Sequence, residues 1–232
     1  MSILDRLLPP RCLLCGDPGS AGMALCRGCD DDLIRNHQAC ARCAEPLPAT
    51  APDQPDLRVC GACLWRPPPY SAIHAPFIYA PPLDWLIQRF KFRGDLVTGR
   101  LLGQLLAREL ANCLPADTRL VPIPLHPRRL QERGYNQATE LARPLARALP
   151  ARLTPSVLER TLSTAPQMEL PAAARRSNVI GAFRSRQAVS GPVTLIDDVI
   201  TTANTAREAA RTLAIRPGMD IRVCALARAR VG

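Results

Sequence analysis

The chain has 232 residues, 47% of them apolar and 4% aromatic, which suits one medium globular domain with a small appendage and excludes a disordered chain. Its formal net charge of +10 favours polyanions: nucleic acid, phosphorylated ligands or an anionic surface. No apolar run reaches the roughly 20 residues of a transmembrane helix, and Met1-Ser2-Ile3-Leu4-Asp5-Arg6 lacks the features of a secretory leader, so no membrane span and a cytoplasmic location are expected.

Residues 1–66 read as a unit of their own. Eight of the ten cysteines lie there in four Cys-x-x-Cys pairs, Cys12-Cys15, Cys26-Cys29, Cys40-Cys43 and Cys60-Cys63. Two residues between thiolates let both sulfurs turn onto one ion at about 2.3 Å. Four such knuckles supply two tetrahedral sites for two structural zinc ions. A disulfide framework requires an oxidising compartment, and a thioredoxin-like redox role requires a single such motif at a helix start. The simplest scheme ties Cys12, Cys15, Cys26 and Cys29 to one ion and Cys40, Cys43, Cys60 and Cys63 to the other; a crossed scheme also satisfies the spacing. The segment is loop-rich, and metal binding would supply the stability its few apolar residues cannot. Cys113 and Cys224 read as buried apolar thiols.

Trp65-Arg66-Pro67-Pro68-Pro69-Tyr70 predicts a stiff, extended linker into a second domain, residues 67–232. Charge divides at the same place. Up to Arg66, 7 arginines face 8 acids, a net −1; the remainder holds 23 basic and 12 acidic residues, a net +11. That excess is either an anion-binding feature or the solvated surface of an arginine-rich chain in which Lys91 is the only lysine.

Within residues 67–232, Ser71 to Tyr79 predicts a strand weakened by Pro76, and Leu83 to Lys91 a helix. Leu101 to Leu114 predicts an amphipathic helix, with leucine at 101, 102, 105, 106 and 110. Leu120 to Pro124 is a short apolar strand, and Tyr135 to Leu149 a helix that Pro144 should kink. Val193 to Ile196 is a buried strand, Ala206 to Ile215 a helix, and Arg222 to Ala227 a last strand. Strands alternating with helices predict an α/β fold with a mainly parallel sheet flanked by helices.

One segment concentrates the chemistry. In Val193–Thr205 an apolar strand ends in Asp197 and Asp198, a hydroxyl-rich loop follows, then a helix. Ligands of open α/β sheets bind where strands end. Amides at a helix start, helped by threonine hydroxyls, cradle phosphate, and paired carboxylates suit a ribose diol or hydrated Mg²⁺. An N-cap cluster accounts for one or two of these residues, not for two acids and three threonines together.

The stretch resembles the phosphoribosyl-pyrophosphate (PRPP) signature of type I phosphoribosyltransferases. The resemblance implies that Asp197 and Asp198 hold the ribose hydroxyls, as the catalytic centre, and that Thr201, Thr202, Ala203, Asn204 and Thr205 hold the 5′-phosphate. Ala203 departs from the glycine usual there; if that position needs a positive φ, alanine costs about 1 kcal/mol. Val121-Pro122-Ile123-Pro124 followed by Arg133-Gly134-Tyr135-Asn136-Gln137 resembles a block of the ComF family. The resemblance places Arg128, Arg129 and Arg133 against pyrophosphate oxygens, with Asn136 and Gln137 beside them. Gln88 to Gly94 resembles the family's segment containing a candidate phosphate contact, Lys91; the same residues equally read as a helix that ends at Gly94 with Phe90 packed inside. Arg160 to Phe183, including Gln167, Arg175, Arg176 and Asn178, resembles a stretch of the family whose counterpart in type I enzymes is a mobile hood over the active site. His126 is either an acid/base or a turn residue, and His37 and His74 look structural or exposed.

The resemblance spans nearly the whole chain and implies a double zinc ribbon on a phosphoribosyltransferase-like domain, in a family linked to competence and DNA uptake. As an enzyme the protein would bind PRPP with Mg²⁺ and transfer the ribosyl group to an acceptor. As a binding module it would grip single-stranded DNA, or sense a nucleotide without turnover. Competence or DNA-processing proteins are the implied partners.

Overall fold

In the computed structural model, which describes residues 10–48, 59–162, 179–214 and 218–230, the cysteine-rich segment contributes two single-turn helices, α1 (Arg27–Asp31) and α2 (Gly61–Trp65). Then follow β1 (Ala72–His74), β2 (Phe77–Ile78), α3 (Leu83–Arg93), α4 (Leu96–Glu109), β3 (Thr118–Pro122), α5 (Pro127–Arg133) and α6 (Gln137–Ala148). The chain continues through β4 (Ala151–Leu153), β5 (Leu158–Arg160), β6 (Phe183–Ser185), β7 (Val193–Ile200), α7 (Asn204–Leu213) and β8 (Ile221–Arg228).

The main sheet runs β1–β8–β7–β3–β4, with β2 also on β8, and every pairing in it is parallel. β5 and β6 form a separate antiparallel pair. A parallel sheet is covered on both faces, and neighbouring residues of one strand accordingly serve two cores. Leu120, Ile196 and Cys224 pack with α3, α4 and α6 on one face. Val121, Leu195 and Val223 pack with α7 and the β5–β6 pair on the other.

Local differences from the sequence reading have physical causes. Ala75 and Pro76 split the expected first strand into β1 and β2, because proline donates no ladder bond. α4 starts at Leu96, not Leu101, because Asp95 caps it by accepting from the amides of Val97 and Thr98. Its two glycines permit close packing: a Cβ on Gly99 would lie 2.4 Å from Phe90 Cε2, and one on Gly103 2.7 Å from Pro144 Cγ. Pro144 is thus accommodated within α6. Leu101, Leu102, Leu105 and Leu106 are all buried, each contributing about 2 kcal/mol of apolar transfer. The segment after β3, expected as a turn, contains α5, capped by His126 Nδ1, which accepts from the Arg128 amide at 3.3 Å. His126 is therefore a turn and cap residue. β7 extends through both aspartates to Ile200 because β8 pairs with it along its length. Cys224 is fully buried and Cys113 half-buried.

The cysteine-rich segment is docked on the sheet and helices. Cys12, Leu25 and Leu33 join the core that contains α4. Asp30 receives Arg108 at 2.7 Å and Arg35 at 3.0 Å. Asn36 Nδ2 donates to the carbonyls of Ala44 and Ala75, and the Ile73 amide donates to the Arg42 carbonyl.

Candidate functional site

β7 lies between β8 and β3, and its C-terminal half, Asp197-Asp198-Val199-Ile200, is strand paired with β8. The chain then turns through Thr201–Ala203 into α7. This turn, the end of α3, the α5–α6 junction and the end of β5 line one cleft of about 1300 Å³. Single-ligand pockets run to roughly 300–1,000 Å³, so the cleft has room for two small molecules.

Asp197 and Asp198 both line the cleft. Asp197 Oδ1 accepts from the Asp198 amide at 2.9 Å, and Asp198 Oδ1 from the Val199 amide at 2.7 Å. Lys91 Nζ lies 2.8 Å from Asp198 Oδ2. Burial pushes the Asp197 carboxyl up to about 7, the neighbouring Asp198 carboxylate adds to this, and the Asp198 amide, Lys91 and Arg160 oppose it. Burial works against the Lys91 charge, yet Asp198 and then Asp197 hold its pKa above the ordinary lysine value. The helix-end reading of this segment holds, since α3 ends at Gly94 (φ 66) with Phe90 buried, and Lys91 also lines the cleft.

The turn into α7 has the form of an anion seat. Thr201, Thr202, Ala203, Asn204 and Thr205 all line the cleft. Ala203 has φ 58 and ψ 12, the left-handed conformation that favours glycine, and it stands at the N-cap of α7 with no side-chain cap. The Thr202 hydroxyl oxygen is buried and has no hydrogen-bond partner among the described residues. A buried polar atom ordinarily has one, and an anion bound at the positive end of the ten-residue α7 would supply it.

Across the cleft lie Arg129, Arg133, Asn136 and Gln137. Asn136 also fixes the fold: its Oδ1 caps α6 through the Ala138 amide, and its Nδ2 donates to the Ile123 carbonyl at 3.0 Å. Arg133 stacks over the Phe92 ring at 5.9 Å. Arg128 is not among the lining residues; it pairs on the surface with Glu132 at 3.0 Å. Two side chains join the site beyond those the loop motifs indicate. Arg160 ends β5, is 8% exposed and lines the cleft near Asp197; its only sequence signal is its place in the hood-like stretch. Phe92 stands 64% exposed at the rim. Of that stretch, Gln167, Arg175, Arg176 and Asn178 lie outside the described residues. His37 is exposed and His74 half-buried, both away from the cleft lining.

The eight ribbon cysteines form two sets, Cys12-Cys15-Cys26-Cys29 and Cys40-Cys43-Cys60-Cys63, with the sulfurs of each set within 4.8 Å of one another. This is the uncrossed pairing. Cys15 and Cys26 sulfurs are 3.6 Å apart, as are those of Cys43 and Cys60. That is far beyond a disulfide and close to the roughly 3.8 Å that tetrahedral Zn–S bonds of about 2.3 Å require. Amides support the thiolates: Cys29 N–H donates to Cys26 Sγ and Cys60 N–H to Cys40 Sγ. Burial opposes ionisation of Cys12 and Cys40, but surrounding amides outweigh it and hold them at about 6 and about 7. The two Cys₄ sets fit two structural zinc ions. None of the described helices is long and apolar enough to cross a membrane.

Residues 3–64 match the family model of the double zinc ribbon domain. Over 228 residues, covering 95% of this chain and 98% of the relative, the sequence is 34% identical to DNA utilization protein YhgH of Escherichia coli (strain K12). It is 33% identical over 229 residues to Competence protein F of Haemophilus influenzae, covering 94% of this chain and 97% of the relative. It is 25% identical over 235 residues to Competence protein ComFC of Streptococcus pneumoniae, covering 94% of this chain and the whole of the relative.

Proposed function

The chain belongs to the ComF family, and on that premise we propose that it binds PRPP with Mg²⁺ in the cleft at the end of β7 and acts in the uptake or use of external DNA. The observation that carries the binding reading is the convergence in one cleft of Asp197, Asp198 and a left-handed turn at Ala203 beside a buried Thr202 hydroxyl that has no hydrogen-bond partner among the described residues. Carboxyl oxygens accept hydrogen bonds, so Asp197 and Asp198 suit the two hydroxyls of a ribose. Thr201 to Thr205 take the 5′-phosphate. Among the cations lining the cleft, Lys91, Arg129 and Arg133 are the ones assigned to a pyrophosphate, with Asn136 and Gln137 beside them, and Arg128 reaches it only on leaving Glu132. When bound, Mg²⁺ neutralises charge on the departing pyrophosphate. The reaction class is transfer of a phosphoribosyl group to an acceptor with release of pyrophosphate. The names of the relatives, a DNA utilization protein and two competence proteins, support the role in DNA uptake. Calorimetry with PRPP and Mg²⁺ tests the reading: micromolar binding that Asp198→Ala abolishes supports it, and no heat from the unmodified protein rejects it.

A second reading, contact with single-stranded DNA, is favoured by two exposed aromatic rings, each backed by a half-buried arginine. Arg89 lies 5.3 Å from the Trp85 ring, and Arg133 lies 5.9 Å from Phe92 at the cleft rim. Bases stack on such pairs while arginine meets the backbone. A titration of oligonucleotide binding against salt tests it: affinity must fall steeply as salt rises, and a flat response removes the reading.

A further inference from the structure

We propose that Arg228, held by Glu45 of the second ribbon, fixes the orientation of the turn that receives the 5′-phosphate, so that the ribbon acts as a positioning element for the cleft. The inference rests on the reading of that turn as a phosphate seat.

Arg228 is the last residue of β8 and lies in register with Ile200, the last residue of β7. Its side chain is 5% exposed. Its Nη1 donates to the Ile200 carbonyl at 3.1 Å and also to the Thr201 carbonyl. Its Nη2 donates to the Glu45 carboxylate. Across a planar trans peptide, the carbonyl of one residue and the N–H of the next point in opposite directions. With both carbonyls turned to Arg228, the amides of Thr201 and Thr202 point away from it, and both residues line the cleft. The Ile200 carbonyl also accepts from the Ala229 amide at 2.9 Å, so the strand ladder already sets the Thr201 amide; the guanidinium's own contribution is to hold the Thr201 carbonyl and so to turn the Thr202 amide away from Arg228.

A buried charge requires a counter-charge, and Glu45 provides it from outside the sheet. Glu45 sits two residues beyond Cys43, and its own backbone is part of that knuckle: the Cys40 amide donates to the Glu45 carbonyl at 2.8 Å. The Asn36 side chain holds the Ala44 carbonyl next to it at 2.9 Å. The chain of contacts from the Cys40–Cys43 knuckle through Glu45 and Arg228 to Thr201 is continuous. Both acidic and basic members are positioning residues, since neither Glu45 nor Arg228 lines the cleft.

The test compares the full-length zinc-loaded protein with Glu45→Gln, which keeps the shape and removes the charge, and with Glu140→Gln, which breaks an exposed surface pair with Arg143 as a control. Ribose 5-phosphate is the calorimetric probe. The expected result is at least fivefold weaker binding in Glu45→Gln, two zinc ions retained, and unchanged binding in Glu140→Gln; a loss smaller than fivefold overturns the inference. If Glu45→Gln fails to retain zinc, Arg228→Lys, which keeps the charge and cannot reach three acceptors at once, is judged by the same limit. If the unmodified protein does not bind the probe, the phosphate reading fails by itself. The brace is then judged by hydrogen exchange at the Thr202 amide, where faster exchange in Glu45→Gln upholds the orienting role and unchanged exchange overturns it.

Discussion

Lys91 Nζ lies 2.8 Å from Asp198 Oδ2, joining the end of α3 to β7 across the cleft, with the two side chains 30% and 13% exposed. In the free protein the ammonium thus occupies one of the acceptors proposed for the ribose. Removing it leaves two adjacent carboxylates without their nearest cation. Lys91→Met is expected to cost about 1–3 kcal/mol of stability. Denaturant unfolding in a double-mutant cycle checks this: in an Asp198→Asn background the same substitution should cost at least about 1 kcal/mol less. Equal costs in both backgrounds would show that the pair is not coupled.

Asp197 predicts a pH dependence. Its carboxyl, ordinarily near 3.8, is pushed up to about 7 by burial and then by Asp198. Between these values the folded chain binds more protons at this site than the unfolded chain. Stability from this group is therefore present at low pH and lost as pH rises from about 4 through about 7. Asp197→Asn removes the loss. The variant should gain at least about 1 kcal/mol on the unmodified protein between pH 5 and pH 8, measured by urea unfolding at each pH. A constant difference across that range would contradict the raised value.

The parts of this fold that announce themselves in sequence are those with a strict local code. Cys-x-x-Cys spacing marks the metal sites, though only the folded chain settles which knuckles share an ion. The apolar run Val193–Ile196 and the acids after it mark the cleft, yet the strand continues to Ile200 because β8, far along the chain, supplies its ladder. Helix α4 begins before its leucines because one side chain, Asp95, caps it, and because glycines that weaken a helix are needed where Phe90 and Pro144 approach. Long-range pairings carry no local signal. Arg228 falls just past the strand expected to end at Ala227, yet it closes β8 and is buried against Glu45, 183 residues away. Arg160 reaches the cleft only because β5 pairs with β6.

The two sulfur sets share no ligand, which predicts stepwise loss of metal. The protein should contain two zinc ions per chain, and Cys26→Ser should lower that to one without emptying the Cys40 site. Metal analysis of the purified variants checks this. Because structural zinc contributes on the order of 10 kcal/mol in small metal-dependent folds, strong chelation should also unfold the ribbon and lower the melting temperature. A Cys26→Ser protein that lost both ions would mean that the sites are coupled.

Ala203 shows why a residue other than glycine is tolerated in the turn into α7. Its left-handed backbone costs an alanine about 1–2 kcal/mol. Glycine removes that strain but brings an entropic cost of about 0.5–1 kcal/mol. The Ala203 methyl is also packed in the core beside α7, and losing it costs a further ~0.8 kcal/mol. The terms nearly cancel, so Ala203→Gly should change stability by less than about 1 kcal/mol, a shift of at most a few degrees in melting temperature for a chain of this size. Ala203→Val has no such compensation. A β-branched side chain at positive φ is strained more than alanine, and its added methyls must enter a filled core, so it should lose at least about 2 kcal/mol. Thermal unfolding of the two variants side by side decides between this account and one in which the turn relaxes freely, for which valine and glycine would melt together.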